Sequence, residues 1–201
     1  MSKECLRYNV DYLPGEKLGS GVFGDVYIEL NGYGDHVMKI WFHESDENHF
    51  TIKQKKVERS LKLQNRAAKT GLSVPIIDTW GCDGKYTVAV MEKLDETLDS
   101  YMLRGHPGST SKEVLDAIKA VLIKLHLEGV SHGDISPENL MVFSIPLHTS
   151  SVKIGKKGPW LYLIDFDMGT SIERGVDNFI YSDEMTCWGL ESLLSEEYFS
   201  S

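Results

Sequence analysis

The sequence has few cysteines and no long apolar run. Cys5, Cys82 and Cys187 lie far apart, are odd in number and form no C-x-x-C pair. Neither a disulfide framework nor a zinc site is therefore predicted. No apolar run approaches the roughly 18 residues of a membrane-spanning helix, and the N-terminal residues lack the apolar core of a cleavable secretory signal. We expect the protein to work in a reduced, cytosolic compartment.

The sequence also lacks an excess of basic residues. Thirty acidic residues against 21 basic ones give a net charge of −9, which argues against nucleic acid as a partner. A phosphate-bearing ligand would need local positive groups or a metal ion. The apolar fraction of 41% in 201 residues is typical of a packed protein with one domain or two small lobes.

The order of the predicted elements indicates an α+β fold. Strand and turn signals fill the first 40 residues, and a helix is predicted over 46–70. Its apolar face would contain Phe50, Val57, Leu61 and Ala68. The segments VPIIDTW and YTVAVME then read as two strands.

The second half of the chain is predicted to be mostly helical. Thr110 and Glu113 fit a capping box at the start of a helix over 111–128, and Gly129 ends it. The strand LYLID and a last helix from about Asp183 to Phe199 follow. We predict a β-rich lobe at about 1–92 and a helical lobe at about 95–201.

A glycine-rich segment lies between the first two predicted strands. GSGVFGDV, residues 19–26, matches the pattern G-x-G-x-x-G-x-V, in which glycines let the backbone approach a phosphate. A glycine-bearing hairpin without a ligand is an equally good reading of this segment alone. It is not the dinucleotide fingerprint, because a strand rather than a helix follows it.

Two charged residues are candidates for handling that phosphate. Lys39 lies in an apolar strand, where a buried ammonium needs an anion or water. Glu58 is predicted near the buried face of the first helix, within reach of Lys39. The plainer alternatives are a solvated edge-strand lysine and a surface pair between Glu58 and Lys62.

Polar residues of two other segments complete a possible catalytic set. In HGDISPENLMV, residues 132–142, Asp134 is suited to orienting an attacking hydroxyl, and Asn139 offers an amide oxygen to a metal ion. Asp165 follows a buried strand, where a carboxylate is costly unless it is paired or binds a cation. Each is plausible as a turn residue alone, but their fixed order favours a joint function.

This ordered set resembles the protein-kinase superfamily: glycine loop, strand lysine, helix glutamate, catalytic-loop Asp and Asn, and metal-binding Asp. The resemblance spans about residues 16–195 and implies a two-lobed, truncated kinase fold. It implies catalytic roles for Asp134 and Lys39, and Mg²⁺ held by Asn139 and Asp165. It also implies that ATP is bound by Gly19, Ser20, Gly21, Phe23, Gly24, Val26, Val37, Lys39, Glu58, Met91, Glu92, Leu94 and Met141.

Three residues depart from the pattern of that superfamily. Gly133 replaces the arginine that pairs with a phosphorylated activation loop in regulated kinases. The segment from Asp167 to Asp183 is short and has no A-P-E motif, so we expect activity without a phospho-switch.

Asp167 replaces the glycine at the third position of the D-F-G motif. Aspartate flips its backbone less freely than glycine, so an inactive, flipped conformation of this motif is disfavoured. Ser136 replaces the catalytic-loop lysine. A lysine from the connection that contains Lys153, Lys156 and Lys157 is one candidate to substitute for it, but we favour the reading that these lysines form a solvated basic loop.

The chain most resembles minimal serine/threonine kinases that bacteria secrete into host cells as virulence effectors. Among these it is similar to a family reported to phosphorylate the ninety-kilodalton heat-shock chaperone. The resemblance therefore implies that the substrate is a host protein. We expect neither nucleic acid nor a membrane as a partner. Two alternatives stay open: a small-molecule kinase of the aminoglycoside or choline type, and a nucleotide-binding pseudokinase scaffold.

Overall fold

The computed structural model shows an α+β protein in which an antiparallel sheet is combined with few helices. The described part of the chain separates into two compact units. The first holds the described residues up to Leu61 together with Pro75–Lys93, and the second holds Lys62–Val74 with the described residues from Leu94 onward. Residues 47–53 and 82 are described by their backbone only. The structure describes residues 12–21, 24–31, 34–43, 47–82, 85–105 and 109–172.

The first unit is built on a five-stranded antiparallel sheet. β-Branched and aromatic residues dominate its central strands, as a half-buried pleated surface requires. The strand order is β1-β2-β3-β5-β4. The strands are β1 (Pro14–Ser20), β2 (Asp25–Glu29), β3 (His36–Phe42), β4 (Ile76–Cys82) and β5 (Tyr86–Glu92).

The two faces of this sheet carry separate apolar clusters. One face buries Met38, Ile40, Val88 and Val90. Residues two apart on a strand share a face, so Trp41 and Ala89 belong to the opposite face, where they pack with Val57. Both faces of β3 and β5 are covered, which explains why these strands read as nearly continuous apolar runs.

Helix α1 (Glu47–Ala68) confirms the predicted helix, but its buried face differs in part from the prediction. Val57 is buried as predicted, whereas Leu61 and Ala68 are only half-buried. The side chain of Phe50 lies outside the described residues. Gly71 follows the helix at φ 74°, a left-handed conformation that glycine adopts at low cost. The buried side chains of α1 are those of Val57, Ser60, Leu63, Gln64 and Ala67.

The second unit has its core around helix α3 (Ser111–Leu127). The capping box is confirmed: Thr110 Oγ1 accepts from Glu113 N, and Glu113 Oε2 accepts from Thr110 N. The apolar stripe of α3 is almost fully buried against the rest of the unit. The other elements are α2 (Leu98–Leu103), β6 (Glu96–Thr97), β7 (Val130–Ser131), β8 (Leu140–Phe143), β9 (Val152–Lys153), β10 (Trp160–Leu163) and β11 (Thr170–Ser171).

Two small sheets organise these strands, one in the order β6-β8-β10-β9 and one pairing β11 with β7. Strand β9 was not predicted, because it lies in a polar connection. That connection is ordered by Tyr162, whose hydroxyl accepts from Leu147 N at 2.8 Å and donates to Ser151 Oγ at 3.1 Å. The predicted helix from Asp183 to Phe199 lies outside the described residues.

No helix in the described ranges is long and apolar enough to cross a membrane.

The glycines of the first hairpin differ in how much room surrounds them. A Cβ at Gly24 would lie 2.3 Å from Ile40 O, whereas a Cβ at Gly19 meets nothing within 4 Å. We expect Gly24→Ala to lower the free energy of unfolding by about 1–3 kcal/mol, since the backbone of β3 must shift. Gly19→Ala is the matched control, with an expected change within about 0.5 kcal/mol. Urea unfolding measures both, and equal effects would contradict the packing argument.

Candidate functional site

The glycine-rich segment forms the hairpin between β1 and β2. Gly19 pairs with Val26, Ser20 pairs with Asp25, and Gly21 N donates to Gly24 O at 2.8 Å. Gly24 is the glycine that packing requires, because β2 passes close to the backbone of β3 there. Phe23 lies outside the described residues. Among the described atoms, a Cβ at Gly19 meets nothing within 4 Å and one at Gly21 meets only Gly24 O at 3.6 Å, so described packing does not require glycine at either position.

Lys39 is buried in the middle of the sheet, with 8% of its surface exposed. Its cross-strand partners are Val26 on β2 and Ala89 on β5, so these three side chains share a face. Lys39 Nζ lies 4.9 Å from the ring centroid of Trp41, a distance suited to a cation–π interaction. An ammonium is thus held on an apolar face rather than on an edge strand in solvent.

The other predicted adenine contacts are divided between the two units. Val37 pairs with Met91 across β3 and β5, and the strand alternation places both on the face of Lys39. Glu92 is the last residue of β5 and pairs with His36. Leu94 and Met141 belong to the second unit; Leu94 is buried and Met141 is half-buried in β8.

The prediction that Glu58 lies near the buried face of α1 is wrong. Glu58 is exposed, and its hydrogen-bond partner among the described residues is Gln54, whose Nε2 donates to Glu58 Oε1 at 3.3 Å. Each helical residue is rotated about 100° from its neighbour. The buried face of the helix is centred near Ala67, between Leu63 and Gln64, and Glu58 falls on the opposite side. The structure therefore does not bring Glu58 to Lys39.

An ion pair beside the glycine hairpin escaped the sequence analysis. Lys17 Nζ lies 2.9 Å from Asp25 Oδ2, and Tyr27 OH donates to the same carboxylate at 3.2 Å. The hydrogen bond from Lys17 is the largest cause that lowers the pKa of Asp25 below its ordinary value, followed by a hydrogen bond from Ser20. Asp25 is accordingly ionised at neutral pH, next to the start of β2.

In the second unit, Asn139 ties the predicted catalytic loop together. Its Nδ2 donates to Asp134 O at 2.9 Å and to Asp134 Oδ2 at 3.0 Å. The backbone of Asn139 is fixed as well, because its N–H donates to Ser136 O at 3.0 Å. With the donor end of the amide used on Asp134, the acceptor Oδ1 is the end available to a cation. The structure thus brings Asp134 and Asn139 together, as predicted.

Asp165 follows β10 in a strained conformation. Its φ and ψ are 62° and 69°, and it is the one non-glycine residue of the described ranges with positive φ. Such a conformation costs about 1–3 kcal/mol and persists only where the surroundings impose it. Here Ile164 N donates to Asn139 O at 3.0 Å, and His132 Nε2 contacts Ile164 O at 2.8 Å. The loop of Asp134 and Asn139 therefore fixes the residue that precedes Asp165.

The segment after Asp165 packs against Gly133. Phe166–Met168 form a short 3-10 turn in which Phe166 and Asp167 are buried. Gly133 has φ 76°, and a Cβ placed on it would lie 2.7 Å from Met168 O. Gly133 is thus required by backbone conformation and by packing, and no arginine fits at this position in this fold.

Two residues of the second unit offer oxygen donors of the kind that Mg²⁺ prefers. In the ranges that the structure describes, no group of three or more His, Cys, Asp or Glu side chains is arranged to hold a metal ion. Mg²⁺ is commonly held by only one or two carboxylates, with water and substrate phosphates completing its shell. Asp165 and the Oδ1 of Asn139 are hard oxygen ligands of this kind, so the donor chemistry fits.

Three lysines were candidates to replace the catalytic-loop lysine that is missing at Ser136. They lie in the hairpin of β9 and β10. Lys153 in β9 is exposed, and its Nζ lies 4.5 Å from the ring centroid of Trp160. Lys156 and Lys157 are exposed at the turn that follows. This arrangement favours the solvated basic loop over a catalytic role.

Comparison with known protein families gave no match: no family model matches the chain. The geometry also contains contributors that the sequence patterns did not reveal. They are Trp41 beneath Lys39, His132 against Ile164 and Phe166, and Ser73, whose hydroxyl reaches Leu163. His132 belonged to a motif already singled out, whereas Ser73 lies in no motif.

The contact between Gly133 and Met168 gives a stability prediction. Gly105 has the same φ of 76° as Gly133, but a Cβ there meets nothing within 4 Å. We expect Gly105→Ala to cost about 1 kcal/mol of unfolding free energy from backbone conformation alone. Gly133→Ala adds a steric cost and is expected to lose about 2–4 kcal/mol. Thermal or urea unfolding compares the two variants, and equal losses would show that the packing contact is unimportant.

Proposed function

We propose that this protein is an ATP- and Mg²⁺-dependent phosphotransferase with the two-lobed arrangement of a minimal kinase. The observation that carries the proposal is the double use of Asn139. Its amide holds Asp134, while its backbone oxygen accepts from the residue before the strained Asp165. A turn with no function needs neither a left-handed aspartate nor an asparagine fixed through both its side chain and its backbone.

In this proposal the first unit supplies the groups that bind the nucleotide. The hairpin of Gly19, Gly21 and Gly24 covers the phosphates, and Lys39 contacts them. Val26 and Val37 share the face of Lys39 and are expected to contact the adenine. Glu58 is exposed, and the ring of Trp41 is a neighbour that helps to hold the lysine.

The second unit supplies the groups that act on the transferred phosphoryl group. Asp134 would align the acceptor hydroxyl. Asn139 and Asp165 would hold the magnesium ion, which would supply positive charge to the phosphates. Such catalysis is mainly positioning and charge stabilisation. Few polar groups suffice when their backbone is as constrained as it is around Ile164.

We further propose that the substrate is a serine or threonine of a host protein and that the protein acts as a bacterial effector. The ninety-kilodalton heat-shock chaperone is the first substrate to test. The chain's net negative charge agrees with a protein partner better than with nucleic acid. These assignments rest on the resemblance of the ordered motifs.

The decisive experiment is phosphoryl transfer from labelled ATP in a eukaryotic lysate with Mg²⁺. We expect the protein to label a protein band, and Asp165→Ala to reduce the labelling by about 100-fold or more, because charge stabilisation is lost. Asp116→Ala is the matched control. Asp116 is an exposed acid of the same unit, paired with Lys112 on the surface of α3, and its removal is expected to leave labelling unchanged.

A second pair of variants tests the first unit. Lys39→Met is expected to reduce labelling by about 100-fold or more, as Asp165→Ala does. Lys85→Met removes an exposed lysine of the same unit and should retain most activity. Label found only on added aminoglycosides or choline would support a small-molecule kinase instead. Nucleotide binding without any transfer would support a pseudokinase scaffold.

Activity without a phospho-switch is a separate prediction. The packing of Gly133 against Met168 excludes the arginine that would read a phosphorylated loop. We therefore expect phosphatase-treated protein, confirmed as unphosphorylated by intact mass, to start labelling its substrate at the untreated rate. An initial lag removed by preincubation with ATP would refute this.

A further inference from the structure

Ser73 connects the segment after α1 to the end of β10. Its side chain is buried, with 1% of the residue exposed, and its hydroxyl donates to Leu163 O at 2.6 Å. The same two residues form an isolated parallel bridge, and Leu163 N donates to Leu72 O at 2.8 Å. Both backbone polar groups of Leu163 are thus bonded to Leu72 and Ser73.

The two edges of β10 are occupied by different partners at this point. Backbone groups of successive strand residues point to alternate edges. Ile164 bonds to Asn139, on the side of β8, so Leu163 faces the other edge. In the ranges that the structure describes, that edge pairs with β9 at Trp160 and Leu161. Leu72 and Ser73 continue the pairing beyond the end of β9.

The segment that carries Ser73 is itself held in place. Ser150 Oγ donates to Thr70 O at 3.1 Å, and a Cβ on Gly71 would lie 2.9 Å from both His148 Cβ and Ser151 N. Ser73 is therefore a fixed anchor and not a loosely placed loop residue.

The anchored carbonyl lies two residues before Asp165. Asp165 has the left-handed conformation described above, so its side-chain direction depends on how the strand ends. A buried carbonyl that loses its donor is costly, and relaxation of Leu163 would be passed along the backbone to Ile164 and Asp165.

We propose that Ser73 is a positioning residue for Asp165: its hydroxyl fixes the end of β10 and thereby sets how well Asp165 binds magnesium together with nucleotide. The metal part of this inference rests on the proposed function; the anchoring part does not. It assigns a role in the site to a residue outside every motif of the catalytic set.

The test compares Ser73→Ala with Ser60→Ala, which removes the hydroxyl of another serine that is only 2% exposed. In nucleotide-free protein, the rate of amide hydrogen exchange of residues 161–167 is expected to rise about tenfold in Ser73→Ala and to stay unchanged in Ser60→Ala.

The second measurement is nucleotide affinity. The Kd of ATP with Mg²⁺ is expected to rise about tenfold in Ser73→Ala, while the Kd without Mg²⁺ stays constant. Ser73→Thr, which keeps a hydroxyl, should restore both values. Ser73→Cys, which keeps the shape and weakens the donor, replaces Ser73→Ala if that variant does not fold.

The outcomes separate this inference from the proposed function. Unchanged exchange in Ser73→Ala, or equal changes in Ser60→Ala, would overturn the anchoring role. Raised exchange with an unchanged Mg²⁺ effect on ATP affinity would overturn the link to Asp165. A wild-type protein that binds no ATP would refute the proposed function and with it the metal part, while the exchange data would still decide whether Ser73 anchors β10.

Discussion

The end of strand β10 is the constraint on which the second unit depends. Over two residues, Leu163 and Ile164, each backbone N–H and C=O has a hydrogen-bond partner, and the partners come from separate parts of the chain. Leu163 is bonded by Leu72 and Ser73, and Ile164 by Asn139 and His132. Buried peptide groups must be paired, so the sequence positions that meet here cannot move independently. The strained aspartate that follows is tolerable because this frame is complete.

In each unit, neighbouring groups fix one candidate site residue. Asn139 uses its side chain to orient one acid and its backbone to fix the strand leading to another. Lys39 is kept on an apolar sheet face beside Trp41 instead of in solvent. In both cases the fold fixes where a polar group lies, and preorganisation of this kind is what charge-stabilising catalysis needs.

Local signals made much of the fold predictable. The capping box of α3, the stop at Gly71 and the apolar runs of β3 and β5 are written within a few neighbouring residues, and each was confirmed. The features that the sequence did not predict depend on contacts between residues that are distant in sequence. Strand β9 is ordered by Tyr162, and the partner of Ser73 is 90 residues away. The error on Glu58 arose because one stripe of apolar residues was read from Phe50 onward, whereas the polar Gln64 and Ser60 share the buried side.

The packing of Gly133 against Met168 has an evolutionary consequence. Arginine codons lie one base away from glycine codons, so mutation readily offers arginine at this position. The fold rejects it, because a left-handed backbone and a neighbouring carbonyl leave no room for a side chain. A one-base change to arginine at position 133 would therefore disrupt this packing, so an arginine could be gained here only together with changes in its surroundings.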